Sequence, residues 1–272
     1  MHRVPCDVKT VVMNDSRALP ALPALTARST GVWCMDSTPN MVHLLARSGF
    51  DWVCLDAQHG TFGRAEVTAA ATGYPGGDAA GFVVRVPGVD PSWIGFALDA
   101  GAAGIIVPQI ESRADAEAAV EAAYYPPMGN RSWGPMAALS GQPVPTATEA
   151  NSTIRCAVMI ESALALQNVA DIASVPGVDM LFVGPYDLSL SLGTTVAELL
   201  DDTDASSPLR VIVATAAAAG SEVGVYAGNP ENAERFRELG FECVVPASDT
   251  ALLQAGIQTI LRSSLPEQPR TY

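Results

Sequence analysis

Two acidic residues carry the clearest chemical signal in this chain. Glu161 follows the apolar run Ala157-Val-Met-Ile directly, and Asp187 closes the run Leu181-Phe-Val-Gly-Pro-Tyr. Carboxylates at the ends of two buried strands are hard oxygen ligands for a divalent cation, with coordination positions left for water and substrate. An acid after a strand is also a common helix-start residue, so capping is the plain alternative for either motif alone. His59, in Asp56-Ala-Gln-His59-Gly60, stands after another apolar run, where an imidazole can move a proton near neutral pH. Its plain alternative is a loop hydrogen bond. Arg85 closes Phe82-Val-Val-Arg85, and a guanidinium at a buried strand end needs an anion: a substrate carboxylate, or a structural ion pair with Asp56.

These residues need a scaffold, and composition bounds it. The chain has 272 residues, 49% of them hydrophobic, enough for one large α/β domain with a sizeable core. A net charge of −14 and a pI near 4.5 repel phosphate backbones and anionic lipid, so nucleic acid and membrane surfaces are not expected partners. A small anionic substrate would need a local positive group. Asp7, Lys9, Asp15 and Arg17 interrupt the first twenty residues, so no secretory apolar region is expected and the expected location is cytoplasmic. Cys6, Cys34, Cys54, Cys156 and Cys243 form no CxxC pair and no zinc-like spacing; four lie in apolar runs and read as small buried hydrophobes.

Short apolar runs alternate with Ala-rich stretches of helical period. The spacing predicts strands at Gly31–Met35, Trp52–Asp56, Phe82–Val86, Gly104–Val107, Ile154–Ile160, Met180–Val183, Val223–Tyr226 and Cys243–Val245. Helices are predicted at Pro39–Ser48, Pro91–Ala100, Ser112–Ala123, Pro208–Ala219, Pro230–Leu239 and Asp249–Leu261, several opened by Pro, Ser or Asp. Eight alternating units in one domain predict a (β/α)8 TIM barrel over residues 31–263. An open doubly wound sheet is the runner-up, lacking its glycine-rich first turn. Residues 1–30 read as an N-terminal arm, 264–272 as a loose tail, and the C-terminal helix is expected to pack on a neighbouring subunit. Residues 125–151 form a Gly/Pro-rich connection expected to lie near the site, with subunit packing as the alternative. The mouth of a barrel lies at the C-terminal ends of its strands, which gathers Trp33, Asp56, Gln58, His59, Arg85, Glu161 and Asp187 on one face.

Gly49-Phe-Asp-Trp-Val-Cys-Leu-Asp-Ala-Gln-His-Gly60, Arg85-Val-Pro, Leu98-Asp-Ala-Gly101 with Ile106-Val-Pro108, Tyr125-Pro-Pro127 with Gly129 and Arg131, Met159-Ile-Glu161 and Gly184-Pro-Tyr-Asp-Leu-Ser189 resemble, in order and spacing, the successive motifs of the HpcH/HpaI family. The resemblance runs from about Gly31 to Leu253. It implies a phosphoenolpyruvate/pyruvate-type barrel, a class II pyruvate aldolase that reversibly cleaves a 4-hydroxy-2-oxo acid to pyruvate, or a related 2-oxo acid, and an aldehyde through a metal-stabilised enolate. It also implies Mg²⁺ or Mn²⁺ as cofactor, with Co²⁺ or Zn²⁺ as further candidates. Glu161 and Asp187 would hold the metal, Arg85 would steady the pyruvate or enolate oxygen, and His59 would act in acid/base catalysis. Trp33, Tyr186 and Asp187 would line the substrate, with Asp56, Gln58 and Met159 supporting the ligands. The family pairs its histidine with an aspartate at the position of Asp99. Since Asp99 closes a predicted helix at the other end of the barrel, it would act on His59 of a neighbouring chain. The family precedent is a hexamer, a trimer of dimers.

The chain departs from the family pattern at three places. Gln58 replaces a glutamate common beside the histidine, Met159 replaces a common glutamine, and Tyr186 stands where a small residue often precedes the metal aspartate. The first two make the pocket less polar, and the third narrows it. Two other classes stay open: a Claisen-type lyase or synthase using an acyl-CoA, which would need a basic patch that 15 Lys+Arg residues make hard to build, and a non-catalytic barrel that binds a 2-oxo acid.

Overall fold

Residues 28–73, 81–140 and 143–264 are described in a computed structural model of the chain. The apolar runs form β1 (Ser29–Cys34), β2 (Trp52–Asp56), β3 (Gly81–Arg85), β4 (Gly104–Val107), β5 (Arg155–Ile160), β6 (Met180–Val183), β7 (Glu222–Tyr226) and β8 (Cys243–Val245). All pair in parallel and in sequence order, and β8 returns to β1 through Ser29↔Cys243 and Thr30↔Val244, closing an eight-stranded barrel. The open doubly wound alternative is thereby ruled out. The first strand begins at Ser29, so the end of the expected arm belongs to the barrel; the rest of the arm and the tail beyond Ser264 lie outside the described residues.

Around the strands lie α1 (Pro39–Ala46), α2 (Arg64–Gly73), α3 (Pro91–Asp99), α4 (Arg113–Ala123), α5 (Ala147–Thr153), α6 (Ala163–Gln167), α7 (Val169–Ala173), α8 (Pro185–Leu192), α9 (Val196–Asp201), α10 (Pro208–Ala219), α11 (Pro230–Glu238) and α12 (Asp249–Ser264). Their starts follow local chemistry. Asp90 accepts from the Ser92 N–H with Pro91 opening α3, Ser112 accepts from Asp115 N–H before α4, and Asn229 accepts from Asn232 N–H with Pro230 opening α11. Gly220, at φ +76°, ends α10 in the left-handed conformation that favours glycine. Among the described residues, no helix is long and apolar enough to cross a membrane.

Two apolar clusters follow from strand alternation. Val32, Val53, Leu55, Val84, Ile105 and Val158 face the helices, whereas Trp33, Trp52, Cys54, Val83, Ile106, Met159, Met180, Phe182 and Val245 fill the barrel. A side chain at Gly31 would overlap the Trp52 ring, so a residue without Cβ lets this large indole sit inside. Cys34, Cys54, Cys156 and Cys243 are free and buried, and burial raises all four thiols above their ordinary range.

At the mouth, the buried Asp249 ties the first and last units together. Its Oδ2 accepts from the Met35 and Asp36 N–H groups at 2.8 Å each, beside a parallel bridge between Trp33 and Ser248. The connection over residues 125–151 departs from expectation. It holds a 3-10 turn (Met136–Ser140) and α5, and it runs from the end of α4 to the start of β5, at the base of the barrel. Arg131 bonds to Asp99 there, and the Tyr125 N–H donates to the Asn151 side chain. Loops that follow helices in a β/α repeat lie opposite the mouth, so within its own chain this segment is far from the strand ends that carry the acids.

Candidate functional site

On β2, β3 and β5 the inward-facing series ends in a charged residue, and on β6 it ends in a glycine. Trp52 and Cys54 lead to Asp56, Val83 to Arg85, Ala157 and Met159 to Glu161, and Met180 and Phe182 to Gly184. Period-two alternation thus brings one acid, one guanidinium and a second acid to the mouth, on the same rungs that pack the interior.

Asp56 and Arg85 form the centre. Arg85 Nε donates to Asp56 Oδ1 at 2.9 Å and Nη2 to Oδ2 at 2.5 Å, both side chains being buried. Trp33 Nε1 donates to Oδ2 at 3.0 Å, and the N–H groups of Gln58 and His59 donate to Oδ1 at 3.0 and 3.2 Å. Burial disfavours the Asp56 carboxylate, but the Arg85 hydrogen bonds and charge, with Trp33, outweigh it and hold the carboxyl below its ordinary range. Burial likewise opposes the Arg85 cation, and Asp56 more than restores it. The guanidinium carbon lies 4.9 Å from the Trp33 ring centre. The structural pair foreseen as an alternative for Arg85 is therefore made; among the described residues it leaves Nη1 as the unengaged part of the guanidinium.

Glu161 is placed from two sides. Its Oε1 accepts from the Gln109 N–H at 2.7 Å, and Gln109 adopts φ +58° to present that N–H. Left-handed backbone at a non-glycine residue costs energy and marks a constrained site. Burial raises the Glu161 carboxyl above its usual range; the Gln109 N–H opposes this, the Asp187 charge adds to it, and Arg85 and His59 oppose it. Asp187 lies exposed in the first turn of α8. Gly184 separates the two acids: a Cβ there would come within 3.0 Å of Glu161 Oε2 and of Met159 Cε. Among the described residues no group of three or more His, Cys, Asp or Glu side chains gathers for a metal. The pair Glu161 and Asp187 offers oxygen donors alone, a set suited to a hard cation that keeps water or substrate in its other positions.

A cleft of about 210 Å³ opens here, lined by Asp56, His59, Arg85 and Asp187 with Trp33, Met35, Met159, Gly184, Pro185, Tyr186 and Tyr226. The His59 side chain is exposed to it. Gln58 contributes its N–H to Asp56, but its side chain is not in the lining, and its buried Oε1 has no partner among the described residues. Asp99 is not brought to the mouth of its own barrel. It ends α3 at the base, where Arg131 Nη2 donates to it at 2.6 Å. A larger depression of about 540 Å³ at the base, lined in part by Arg155, Asp179 and Glu222, contains none of the strand-end residues.

The model of the HpcH/HpaI aldolase/citrate lyase family matches residues 29–255. The chain belongs to this family. Among its relatives, a hydroxypyruvate/pyruvate aldolase from Rhizorhabdus wittichii is 35% identical over 225 residues, covering 82% of this chain and 89% of the relative. A 2-dehydro-3,6-dideoxy-6-sulfogluconate aldolase from Pseudomonas putida is 32% identical over 238 residues, covering 85% and 90%. The crystal structure of an HpcH/HpaI aldolase/citrate lyase family protein from Burkholderia cenocepacia J2315 superposes with a TM-score of 0.76 at 30% identity, covering 87% and 94%. Beside the residues read from sequence, the strand-end cluster of this HpcH/HpaI protein includes Gln109, Gly184 and Tyr226. Tyr226 is the end of β7 and was open to the same strand-end rule; the other two act through backbone geometry, which residue type alone does not announce.

Proposed function

We propose that this chain is a metal-dependent aldolase that reversibly cleaves a 4-hydroxy-2-oxo acid into pyruvate, or a related 2-oxo acid, and an aldehyde. The observation that carries this reading is the convergence of Arg85, His59 and Asp187 on one cleft, with Glu161 held beside Asp187 by the Gln109 N–H. The chain's single lysine is Lys9, well before the first strand, so no strand-end amine is at hand for a Schiff base.

Glu161 and Asp187 would hold Mg²⁺ or Mn²⁺, and such a cation, when bound, supplies Lewis-acid stabilisation of an oxyanion. The Arg85 fork, fixed by Asp56 at the cleft, would offer its remaining nitrogen as a preorganised donor for the 2-oxo oxygen, where negative charge develops. Orientation is set before substrate arrives, so little reorganisation is left for the reaction step. His59, anchored through its N–H to Asp56 with its ring in the cleft, takes the proton of the 4-hydroxyl in cleavage and returns one in the reverse direction. We assign Asp99 to the His59 of a neighbouring subunit, with Arg131 holding the carboxylate at the base of its own barrel. The apolar stripe of α12, where Leu253, Ile257, Ile260 and Leu261 are half to two-thirds exposed, supports assembly as well.

The test is deuterium uptake into the methyl group of pyruvate in D₂O, read by NMR, with and without Mg²⁺ or Mn²⁺. Exchange that requires both the metal and Glu161 supports the assignment. A folded, metal-loaded protein that leaves the methyl protons in place refutes it.

A further inference from the structure

Beyond the groups assigned to pyruvate, the cleft has a second wall. Tyr186 leaves the first turn of α8 and reaches the loop after β7, where a Cβ at Gly228 (φ +78°) would overlap its hydroxyl. Its ring centre lies 6.1 Å from that of Tyr226, which packs edge-on against Trp33 at 5.4 Å. Burial raises the Tyr226 phenol above its ordinary range. Met35 and Met159 continue the lining. Arg85 is the cleft's cation, and Asp56 already matches its charge at 2.5 and 2.9 Å. Among the described lining residues there is no lysine and no second arginine, while Asp187 faces the same space. A substrate portion on this wall meets ring faces and thioethers, and any anionic group it carried would lose its hydration there without a side-chain cation of the wall to pair it.

We propose that Tyr186, backed by Tyr226, selects the electrophile, and that the aldehyde taken by this site is neutral and aromatic. The proposal rests on the aldolase reading and deepens it. In the synthetic direction the pyruvate methyl gives up a proton, the enolate carbon bonds to the aldehyde carbon, and the aldehyde oxygen takes up a proton. Pyruvate and benzaldehyde thus give 4-hydroxy-2-oxo-4-phenylbutanoate, and nothing else is consumed. Ring-on-ring contact is worth a factor of about 2 to 10 in a selectivity ratio. Desolvating an unpaired charge against this wall costs about tenfold or more.

The experiment measures kcat/KM of the metal-loaded full chain with pyruvate and three aldehydes: benzaldehyde, 4-carboxybenzaldehyde and glycolaldehyde. Methyl-proton exchange of pyruvate alone is recorded in parallel on the same wild-type protein. The expected result is benzaldehyde at least about tenfold ahead of 4-carboxybenzaldehyde. Tyr186→Ala should lower the benzaldehyde-to-glycolaldehyde ratio about 2- to 10-fold, through KM, and Tyr186→Phe should keep it. Exchange without a preference for the neutral ring, or a ratio that Tyr186→Ala leaves in place, overturns this proposal and spares the aldolase reading. Absence of exchange overturns both.

Discussion

Replacing Asp56 by Asn tests the mouth of the barrel at its most connected atom pair. Five donors converge on this carboxylate: Arg85 Nε and the N–H groups of Gln58 and His59 on Oδ1, Arg85 Nη2 and Trp33 Nε1 on Oδ2. Asn keeps the volume and one acceptor, and its amide does least harm turned toward Oδ2, where it still opposes two donors. Arg85, 10% exposed at its side chain, would then be a buried cation without a counter-charge. Removing one partner of such a pair costs about 3–5 kcal/mol. At a urea dependence of about 2–3 kcal/mol per molar, the unfolding midpoint should fall by about 1–2.5 M. Arg85→Met added to Asp56→Asn should recover at least about 1 kcal/mol relative to the sum of the single changes, since the stranded charge is gone. The pair also sets an acid limb. The folded-state Asp56 carboxyl lies below its unfolded value of roughly 3.9, so its contribution is complete above about pH 5 and is lost as pH falls through the folded value; Asn removes that part of the slope. A loss under about 1 kcal/mol in urea would refute the claim that this pair is what fixes the site.

Other outcomes follow from neighbouring geometry. Gly184→Ala places a methyl 3.0 Å from Glu161 Oε2, and metal affinity measured by isothermal titration should weaken about 10- to 100-fold; unchanged affinity would remove Glu161 from the ligand set. Gln109→Gly relieves the +58° backbone while keeping the N–H on Glu161, so thermal unfolding should show a gain of up to about 1 kcal/mol with metal binding retained. Mixing His59→Ala and Asp99→Asn chains under reassembly should restore part of the aldol cleavage activity that each lacks, and no recovery would return Asp99 to a purely structural role with Arg131. Chelation should abolish methyl-proton exchange but leave the far-ultraviolet circular dichroism unchanged, because the barrel core closes without help from the two acids.

The barrel was legible because its signal is redundant. Eight apolar runs, each bounded by turn or capping residues, gave strands whose ends agree with the structure within two residues, and the Pro-opened helices began where predicted. Site residues that end a strand were legible by the same rule, since an inward series of large apolar residues must meet the mouth with its next member. The choice between a substrate and Asp56 as partner of Arg85 was not legible; it depends on the register Asp56↔Arg85 between β2 and β3, a pairing fixed by the whole sheet. Gln109 and Gly184 were missed for a related reason: what matters is an N–H direction and a missing Cβ, both set by residues 50 or more positions away or by the opposing strand. The end of the barrel that the 125–151 connection joins was not legible, because proline and glycine announce a loop without saying which face of the repeat it joins.

The closure of the ring is uneven, and that has a kinetic meaning. The ladder between β2 and β3 has five register pairs; those between β3 and β4 and between β8 and β1 have two each, and the two at the β8–β1 closure lie low in the barrel. Higher up, the seam is held by the single bridge from Trp33 to Ser248 and by Asp249 reaching across to Met35 and Asp36. Trp33, Met35 and Tyr226 all stand beside this junction and all line the cleft. Opening of this junction would therefore disturb the side where the second wall stands. Amide protons of Met35 and Asp36 would report that opening, and a ligand resting on Trp33 and Tyr226 would slow their exchange, so that occupancy of the cleft and integrity of the ring are read from the same two signals.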